Sequence, residues 1–400
     1  MFVKQLLPAV LAIGSAAAQT CTVSTTTVNS QAEATKLASC RTVKGSVVVG
    51  PLAGANIDIS GPREITGDFS VLDNGILETF SSSSLTTVGG SFTMRNVTKL
   101  SSLSFSSLTS VRALSWQSVT NLNTFTLGPL SKADEVTISD TFLDALDGID
   151  LAKVNKFDIN NNRRLKKFTT KLASLSDNLN IQANGIGLEI SLPNLIWIAN
   201  MTIANVTKFQ VPSLKVVNGS ARFDSNYFES FAAPNLTHTE SGDISFVGNG
   251  ALNNMTFPKL TSIGGGLLIA NNTGLDKVTY FSQLTDVGGA IKLRGNFTEV
   301  DFPKLNIVKG AFDVSSTGDI TKSCETLQKA APSAQGGDGR VEGTFSCTSN
   351  NDKANEDTNG QTSDSGNVDT GSGDKSSAAG LSFNAALLGL AAVAALASAL

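Results

Sequence analysis

The chain has 400 residues, with 30 Lys and Arg against 34 Asp and Glu, a net charge of −4, and one histidine. That balance shows no basic stripe of the kind that suggests nucleic acid, and a lone histidine excludes sites built from several imidazoles. Four cysteines with no C-x-x-C spacing exclude the usual zinc and dithiol redox motifs.

At the N-terminus, Lys4 precedes an apolar run from Leu6 to Ala12 and then Ala16-Ala17-Ala18. One positive charge, a short apolar core and small residues at −3 and −1 predict a secretory signal peptide, residues 1–18, cut after Ala18. The apolar run is too short to span a bilayer.

Residues 19–44 form a short piece in which Gln31–Ala38 favours a helix. An uncovered solenoid end exposes core and strand edges, so this piece is expected to be an N-terminal cap.

A repeat then organises the chain. Its plainest copies are Ile263-Gly264-Gly265-Gly266-Leu267-Leu268-Ile269-Ala270-Asn271-Asn272 and Val287-Gly288-Gly289-Ala290-Ile291-Lys292-Leu293-Arg294-Gly295-Asn296. The apolar corner recurs at Ile65, Val88, Val111, Ala133, Val154, Ser176, Ile198, Val217, Thr239, Ile263, Val287 and Val308. Ile65 to Val308 is 243 residues in eleven steps, about 22 per step. Fixed-period self-similarity marks a solenoid. After each corner comes a two-residue alternation, from Phe69/Val71 and Phe92/Met94 to Ile291/Leu293 and Phe312/Val314. Period-two alternation is a half-buried strand, and strands at one spacing stack as a parallel sheet. The fold class is therefore mostly β: a parallel β-solenoid of leucine-rich-repeat or receptor-L-domain-like coils of about 22 residues, over residues 45–347, with a C-terminal cap. The looser half of each coil often carries Phe-Pro-x-Leu, as in Phe257-Pro258-Lys259-Leu260 and Phe302-Pro303-Lys304-Leu305. Proline there suits an extended entry, not a helix.

Asparagine follows many of the strand pairs: Asn74, Asn96, Asn161, Asn184, Asn205, Asn226, Asn249, Asn272 and Asn296. An inward asparagine amide satisfies backbone groups freed at a bend. Eight N-x-S/T sequons also fall in the repeats, at Asn96, Asn200, Asn205, Asn218, Asn235, Asn254, Asn271 and Asn296, and in a secreted chain these are N-glycan acceptors. The inward and glycan-bearing roles exclude each other, and they collide at Asn96, Asn205 and Asn296.

Cys21 and Cys40 flank the start of the repeats, and Cys324 and Cys347 follow their end. Four cysteines allow three pairings. Short loops close at lower entropic cost, so Cys21–Cys40 and Cys324–Cys347 are favoured as staples of the caps, each contributing about 3 kcal/mol.

Residues 348–371 are rich in Ser, Asn, Asp and Gly and lack the apolar side chains of a core. They predict a flexible tether. No charge follows Lys375, and residues 385–400 are apolar. Small residues, a polar spacer and an apolar tail make a GPI-attachment signal, with attachment expected at Gly371 (alternative Ser376) and removal of residues 372–400.

Together these features resemble the fungal GPI-anchored cell-wall-organisation proteins with receptor-L-domain-like repeats. The resemblance carries the signal peptide, the cysteine pair at each end, the I/V-G-G corners, the F-P-x-L segments, the polar linker and the GPI tail. It implies a surface glycoprotein on the outer face of the plasma membrane and partly in the wall, needed for wall integrity, with no cofactor and no ligand residues to carry over. Its implied partners are the membrane, through the lipid, and wall polysaccharides or wall proteins.

An enzyme is weighed against this reading, because parallel β-solenoids also host polysaccharide hydrolases. Such chemistry needs two carboxylates about 5–9.5 Å apart. The outward residue of successive strands runs Ser70, Thr93, Ser115, Thr137, Asp158, Asn180, Thr202, Arg222, Ser245, Leu268, Lys292, Asp313, which stacks no carboxylate pair. His238 has no second ligand for a metal and no nucleophile elbow. Arg163-Arg164-Leu165-Lys166-Lys167 is the one dense basic cluster, and it reads as a solvated loop or as a grip on an anionic glycan or headgroup. No catalytic, cofactor or metal residues are assigned. The alternatives kept open are a receptor-like ectodomain and a wall-polysaccharide-modifying enzyme.

Overall fold

The structure is a computed structural model and describes residues 19–356. The expected signal-peptide cut at Ala18, the attachment residues Gly371 and Ser376, and most of the expected tether lie outside the described residues. Among the described residues, no helix is long and apolar enough to cross a membrane. Among the described residues strand accounts for 45% and helix for 7%, which settles the class as mostly β.

The chain forms two compact units. Of the described residues, the first holds 19–154 together with 158–165, and the second holds 155–157 and 166–356. Each unit is a parallel β-solenoid in which the main strand of one coil pairs with that of the next.

In the first unit Gln19–Val28 pairs with Cys40–Val49. That strand pairs with Glu64–Ile65 and Phe69–Leu72, and the ladder continues through Thr87–Arg95, Ser110–Val119 and Glu135–Thr141. A second, narrower sheet closes the coils through Asn56–Asp58, Thr79–Ser81, Ser102–Phe105 and Thr124–Leu127. The segment 19–44 is thus a strand-bearing first coil, not a helix alone. Its helix Gln31–Lys36 is N-capped by Ser30, whose side chain accepts from the Glu33 amide.

In the second unit the main ladder runs from Ser174–Gln182 through Trp197–Ala204, Ala221–Asp224, Ile244–Val247, Leu267–Ala270, Ile291–Gly295 and Phe312–Ser316 to Phe345–Thr348. The F-P-x-L segments make the back of these coils. Phe257 and Phe302 are buried, and each proline sits in the turn after a short extended piece.

The alternating pairs point inward as the period requires: Phe69, Val71, Phe92, Met94, Ile291, Leu293, Phe312 and Val314 are all buried. Equivalent side chains of neighbouring coils stack at the inter-strand spacing of about 4.8 Å. Phenylalanine exploits this repeat: Phe69 stacks on Phe92 at 5.0 Å, Phe223 on Phe246 at 4.6 Å and Phe257 on Phe281 at 5.3 Å.

The corner column holds with one correction. Ile198 pairs with Leu175, not with Ser176, because the strand Ser174–Gln182 carries an irregularity between Leu175 and Asn178. Leu175 is buried and Ser176 exposed. Thr239 does occupy the column, between Val217 and Ile263. Its hydroxyl donates to the Gly242 carbonyl and accepts from the Gly264 amide, so a polar residue is satisfied in an apolar column.

The glycine pair after the corner has a steric cause. A Cβ on Gly90 would lie 2.2 Å from Asp68 Oδ1, and one on Gly265 would lie 2.3 Å from Asp243 Oδ1. The same carboxylates accept from the next coil, from the Ser91 and Gly266 amides. The Asp68 and Asp243 carboxylates of one coil thus occupy the place of a side chain on the next, and glycine is required.

Both disulfides form as favoured, Cys21–Cys40 and Cys324–Cys347. The C-terminal cap is the helix Thr321–Leu327 followed by Phe345–Thr348, which pairs with Phe312–Ser316. Residues 349–356 belong to this cap and not to a free tether. Asn350 and Asn351 donate backbone N–H groups to Gly318 and Ser316, and Ala354 is 1% exposed.

Candidate functional site: the corner columns and the polar sheet face

Two adjacent columns turn the chain after each main strand. The outer column takes positive φ at Asp73, Asn96, Ser118, Asp140, Asn161, Ala183, Asn205, Ser225 and Asn271. Left-handed backbone favours Asn and Asp, which explains part of the asparagine richness. The inner column follows one residue later and is buried at Asn74, Val97, Val119, Thr141, Asn162, Asn184, Val206, Asn226, Asn249 and Asn272.

This separation corrects the expected inward set. Asn96 and Asn296 are exposed, Asn161 is exposed, and Asn205 is half-buried. The inward asparagine beside Asn161 is Asn162. The signal was present in the spacing: inner asparagines lie three residues after the second apolar residue of the strand, as Asn226 follows Phe223, whereas Asn96, Asn161 and Asn205 lie two after. Asn296 lies three after Leu293, but Phe297 takes the buried place there.

The inner amides form a ladder in the second unit. Asn226 donates through both its backbone and side-chain nitrogens to Asn249 Oδ1, each at 2.9 Å. Asn249 does the same to Asn272 Oδ1. Each Nδ2 also donates to a carbonyl of the preceding coil, Ile203, Phe223 and Phe246 respectively. In the first unit Asn74 donates to Gly50 and Ala53 carbonyls and accepts from Ile76 and Leu77 amides.

The eight sequon asparagines do not share one environment. Asn96, Asn200, Asn218, Asn254 and Asn296 are exposed, and Asn205, Asn235 and Asn271 are half-buried. With Asn96, Asn205 and Asn296 outside the inner column, the collision with an inward role does not arise at those positions.

The outward row of the main sheet is in register across coils: Ser70, Thr93, Ser115 and Thr137 in the first unit, and Asn180, Thr202, Arg222, Ser245, Leu268, Lys292 and Asp313 in the second. Asp313 bonds Arg294, whose guanidinium is buried and also donates to the Leu293 and Asp313 carbonyls. Asp224, two residues along the strand from Arg222, bonds it at 2.9 Å. Burial raises the Asp224 carboxyl above its usual range, against the opposing pull of Arg222, and Asp224 Oδ1 is buried without a hydrogen bond. Each of these two carboxylates thus faces an arginine rather than another carboxylate.

A cleft of about 370 Å³ opens on this face, lined by Lys156, Asp177, Asn178, Asn200, Met201, Thr202, Ser220 and Arg222. Asn178 pairs with Asn200 and Thr202 with Arg222, so the lining repeats coil by coil. Amides, hydroxyls and cations bond hydroxyl-rich ligands, and no aromatic side chain lines the cleft.

His238 is half-buried. Its Nδ1 contacts Thr237 Oγ1 and its Nε2 contacts Glu240 Oε1, both at 2.9 Å. Arg163, Arg164, Lys166 and Lys167 are exposed, and Arg164 lies 4.4 Å over the Phe142 ring. Of the other aromatics, Trp116 is buried edge-on against Phe92 and Phe125, Trp197 is half-buried and Tyr227 exposed, while the Tyr280 hydroxyl donates to the Asn253 carbonyl. They form no aromatic cluster. Among the described residues, no group of three or more His, Cys, Asp or Glu is placed to hold a metal.

A parallel β-solenoid closed by a disulfide near each end, with a polar face and surface sequons, defines a repeat protein of the cell surface. The comparisons agree. The model of the Ecm33 family, "GPI-anchored cell wall organization protein", matches residues 1–38. Protein ecm33 of Aspergillus fumigatus is 36% identical over 351 residues, covering 86% of this chain and 85% of that protein. A cell surface GPI-anchored protein of Arthroderma benhamiae is 33% identical, covering 82% and 83%. Cell surface GPI-anchored protein ECM33 of Candida albicans is 28% identical, covering 87% and 84%. No solved structure matches the chain. The chain belongs to the Ecm33 family of GPI-anchored cell-wall-organisation proteins. Its role is in cell-wall organisation, and its place is the outer cell surface and wall. None of these relatives is named as an enzyme.

Proposed function

We propose that the solenoid acts by display and binding, without catalysis: a glycosylated module held at the membrane that contacts wall polysaccharides or wall proteins. Under this reading residues 1–18 are removed after Ala18, the lipid is attached at Gly371 (alternative Ser376), residues 372–400 are lost, and the eight sequons carry glycans. Residues 357–371 then serve as the tether. The observation that carries the proposal is the polar sheet face. It presents hydroxyls, amides and cations in register over many coils, and two of its carboxylates, Asp224 and Asp313, are each bonded to an arginine. Glycoside hydrolysis needs a protonated acid beside a second free carboxylate, and a carboxylate held by an arginine is poorly placed for either role. A repeated row of short polar groups instead matches a repeating polymer.

The test incubates the secreted protein, residues 19–371, with insoluble β-glucan, chitin and mannan, and scores both sedimentation and soluble sugar. Retention in the pellet without released sugar is expected. Sugar release abolished by replacing a carboxylate would make the solenoid an enzyme scaffold. Absence of both would move the contact from polysaccharide to protein partners.

A further inference from the structure

We infer that the cleft on the sheet face of the second unit is the seat of the protein's own N-glycan at Asn200. The inference rests on the reading that the sequons are used and goes beyond it, since it separates one glycan from the other seven.

Asn200-Met201-Thr202 is a sequon, and both Asn200 and Thr202 line the cleft. Asn200 is exposed, yet its amide is held on both sides. Its Nδ2 donates to the Asp177 carbonyl at 3.3 Å, and its Oδ1 accepts from the Ser220 amide at 3.0 Å. An amide nitrogen has two hydrogens. One is spent on Asp177, and the other is the site of attachment. A glycan there leaves the coil-to-coil bonds intact and projects from a fixed base.

Glycosylation precedes closure of the coils. C1 of the first N-acetylglucosamine bonds Nδ2, the lipid diphosphate of the donor leaves, and one amide proton passes to solvent. When the strands close, that sugar lies between Lys156 of one coil and Arg222 of another, with Asn178 and Ser220 beside it. The cleft volume of about 370 Å³ is at the small end of ligand sites, which span about 300–1,000 Å³, and suits a short saccharide. The lining offers donors and acceptors to sugar hydroxyls. Of the other exposed sequons, Asn254 stands on the narrow back strand Asn254–Thr256, away from this row, and Asn296 lines a smaller cleft of about 200 Å³.

Site-resolved glycopeptide mass spectrometry on the native secreted protein, before and after endoglycosidase treatment, tests this. The glycan at Asn200 is expected to persist at least tenfold longer than those at Asn218 and Asn254, and to fall at their rate once the protein is denatured. Arg222→Ala opens one wall and is expected to speed release at Asn200 alone. An unoccupied Asn200 beside occupied Asn218 and Asn254, or equal release rates, overturns the inference. Eight empty sequons overturn instead the glycoprotein reading on which it stands. A cleft left free by an unoccupied Asn200 would be open to an external saccharide, and pelleting with mannan lost in Arg222→Ala would identify it as such.

Discussion

Asn249 has no exposed surface and serves three partners. Its Oδ1 accepts from Asn226, and its Nδ2 donates to Phe223 and Asn272. Removing it orphans the buried Asn226 amide and takes a partner from the Phe223 carbonyl and from Asn272 Oδ1, and an orphaned buried group costs about 1–3 kcal/mol. Asn249→Ala is therefore expected to lower stability by about 3 kcal/mol, read from the urea midpoint. Asn254→Ala, on an exposed position, should stay within about 0.5 kcal/mol. Equal losses in the two would show that the ladder adds nothing. The inner column also holds Val97, Val119 and Val206, so an amide is not demanded in every coil. A neighbouring amide does not demand one either, since the Val206 backbone N–H donates to Asn226 Oδ1. Spacing locates the column in most coils, since inner residues fall three after the second strand apolar, and the coil in which Phe297 replaces Asn296 is the exception. Which asparagines bond across coils follows only from the register of coil on coil.

At the scale of elements, each end of the repeat array needs a cover. Cys324–Cys347 ties the helix Thr321–Leu327 to the last strand, Phe345–Thr348. A loop of 23 residues is worth about 3 kcal/mol in the chain-entropy account. The paired variant Cys324→Ser with Cys347→Ser is expected to lose that amount. The loss should appear first as faster hydrogen exchange over Phe345–Thr348, while Ile244–Val247 keeps its protection. Uniform deprotection would show that the end coil and the interior unfold together. The local pairings were legible because loop closure favours short spans. The cap's true extent was not: residues 348–356 look like tether by composition. Only the bonds from Asn350 and Asn351 and the burial of Ala354 bring them into the fold. Composition measures how much apolar surface a segment offers, not whether a neighbouring edge has unpaired groups waiting for its backbone.

At the scale of the molecule, a solenoid is held together mainly by nearest-neighbour contacts, so whole coils are modular. His238 pairs with Ser262, a step of 24 residues. Deleting residues 239–262 joins His238 to Ile263 with every inward position still inward. This variant is expected to fold, with native strand content by circular dichroism and one cooperative transition. Deleting 239–250 breaks the alternation and is expected to leave the chain insoluble or unfolded. Similar behaviour of the two would show that register does not govern the fold.

The amino-acid order by itself determined the class of fold, the coil length, the inward strand pairs and the cysteine pairing, because period-two alternation and a fixed repeat leave few ways to bury the same residues. Tertiary structure decided the rest. It moved the corner from Ser176 to Leu175 through a local irregularity, and it divided the asparagines into a left-handed outer column and a hydrogen-bonded inner one. It also gathered Lys156, Asn178, Asn200 and Arg222, which lie as many as 66 residues apart in sequence, around one cleft. The physical reason is the stacking itself. A column is made of residues one coil apart, and a shift of one residue in any coil changes which side chains meet without changing the pattern along the chain.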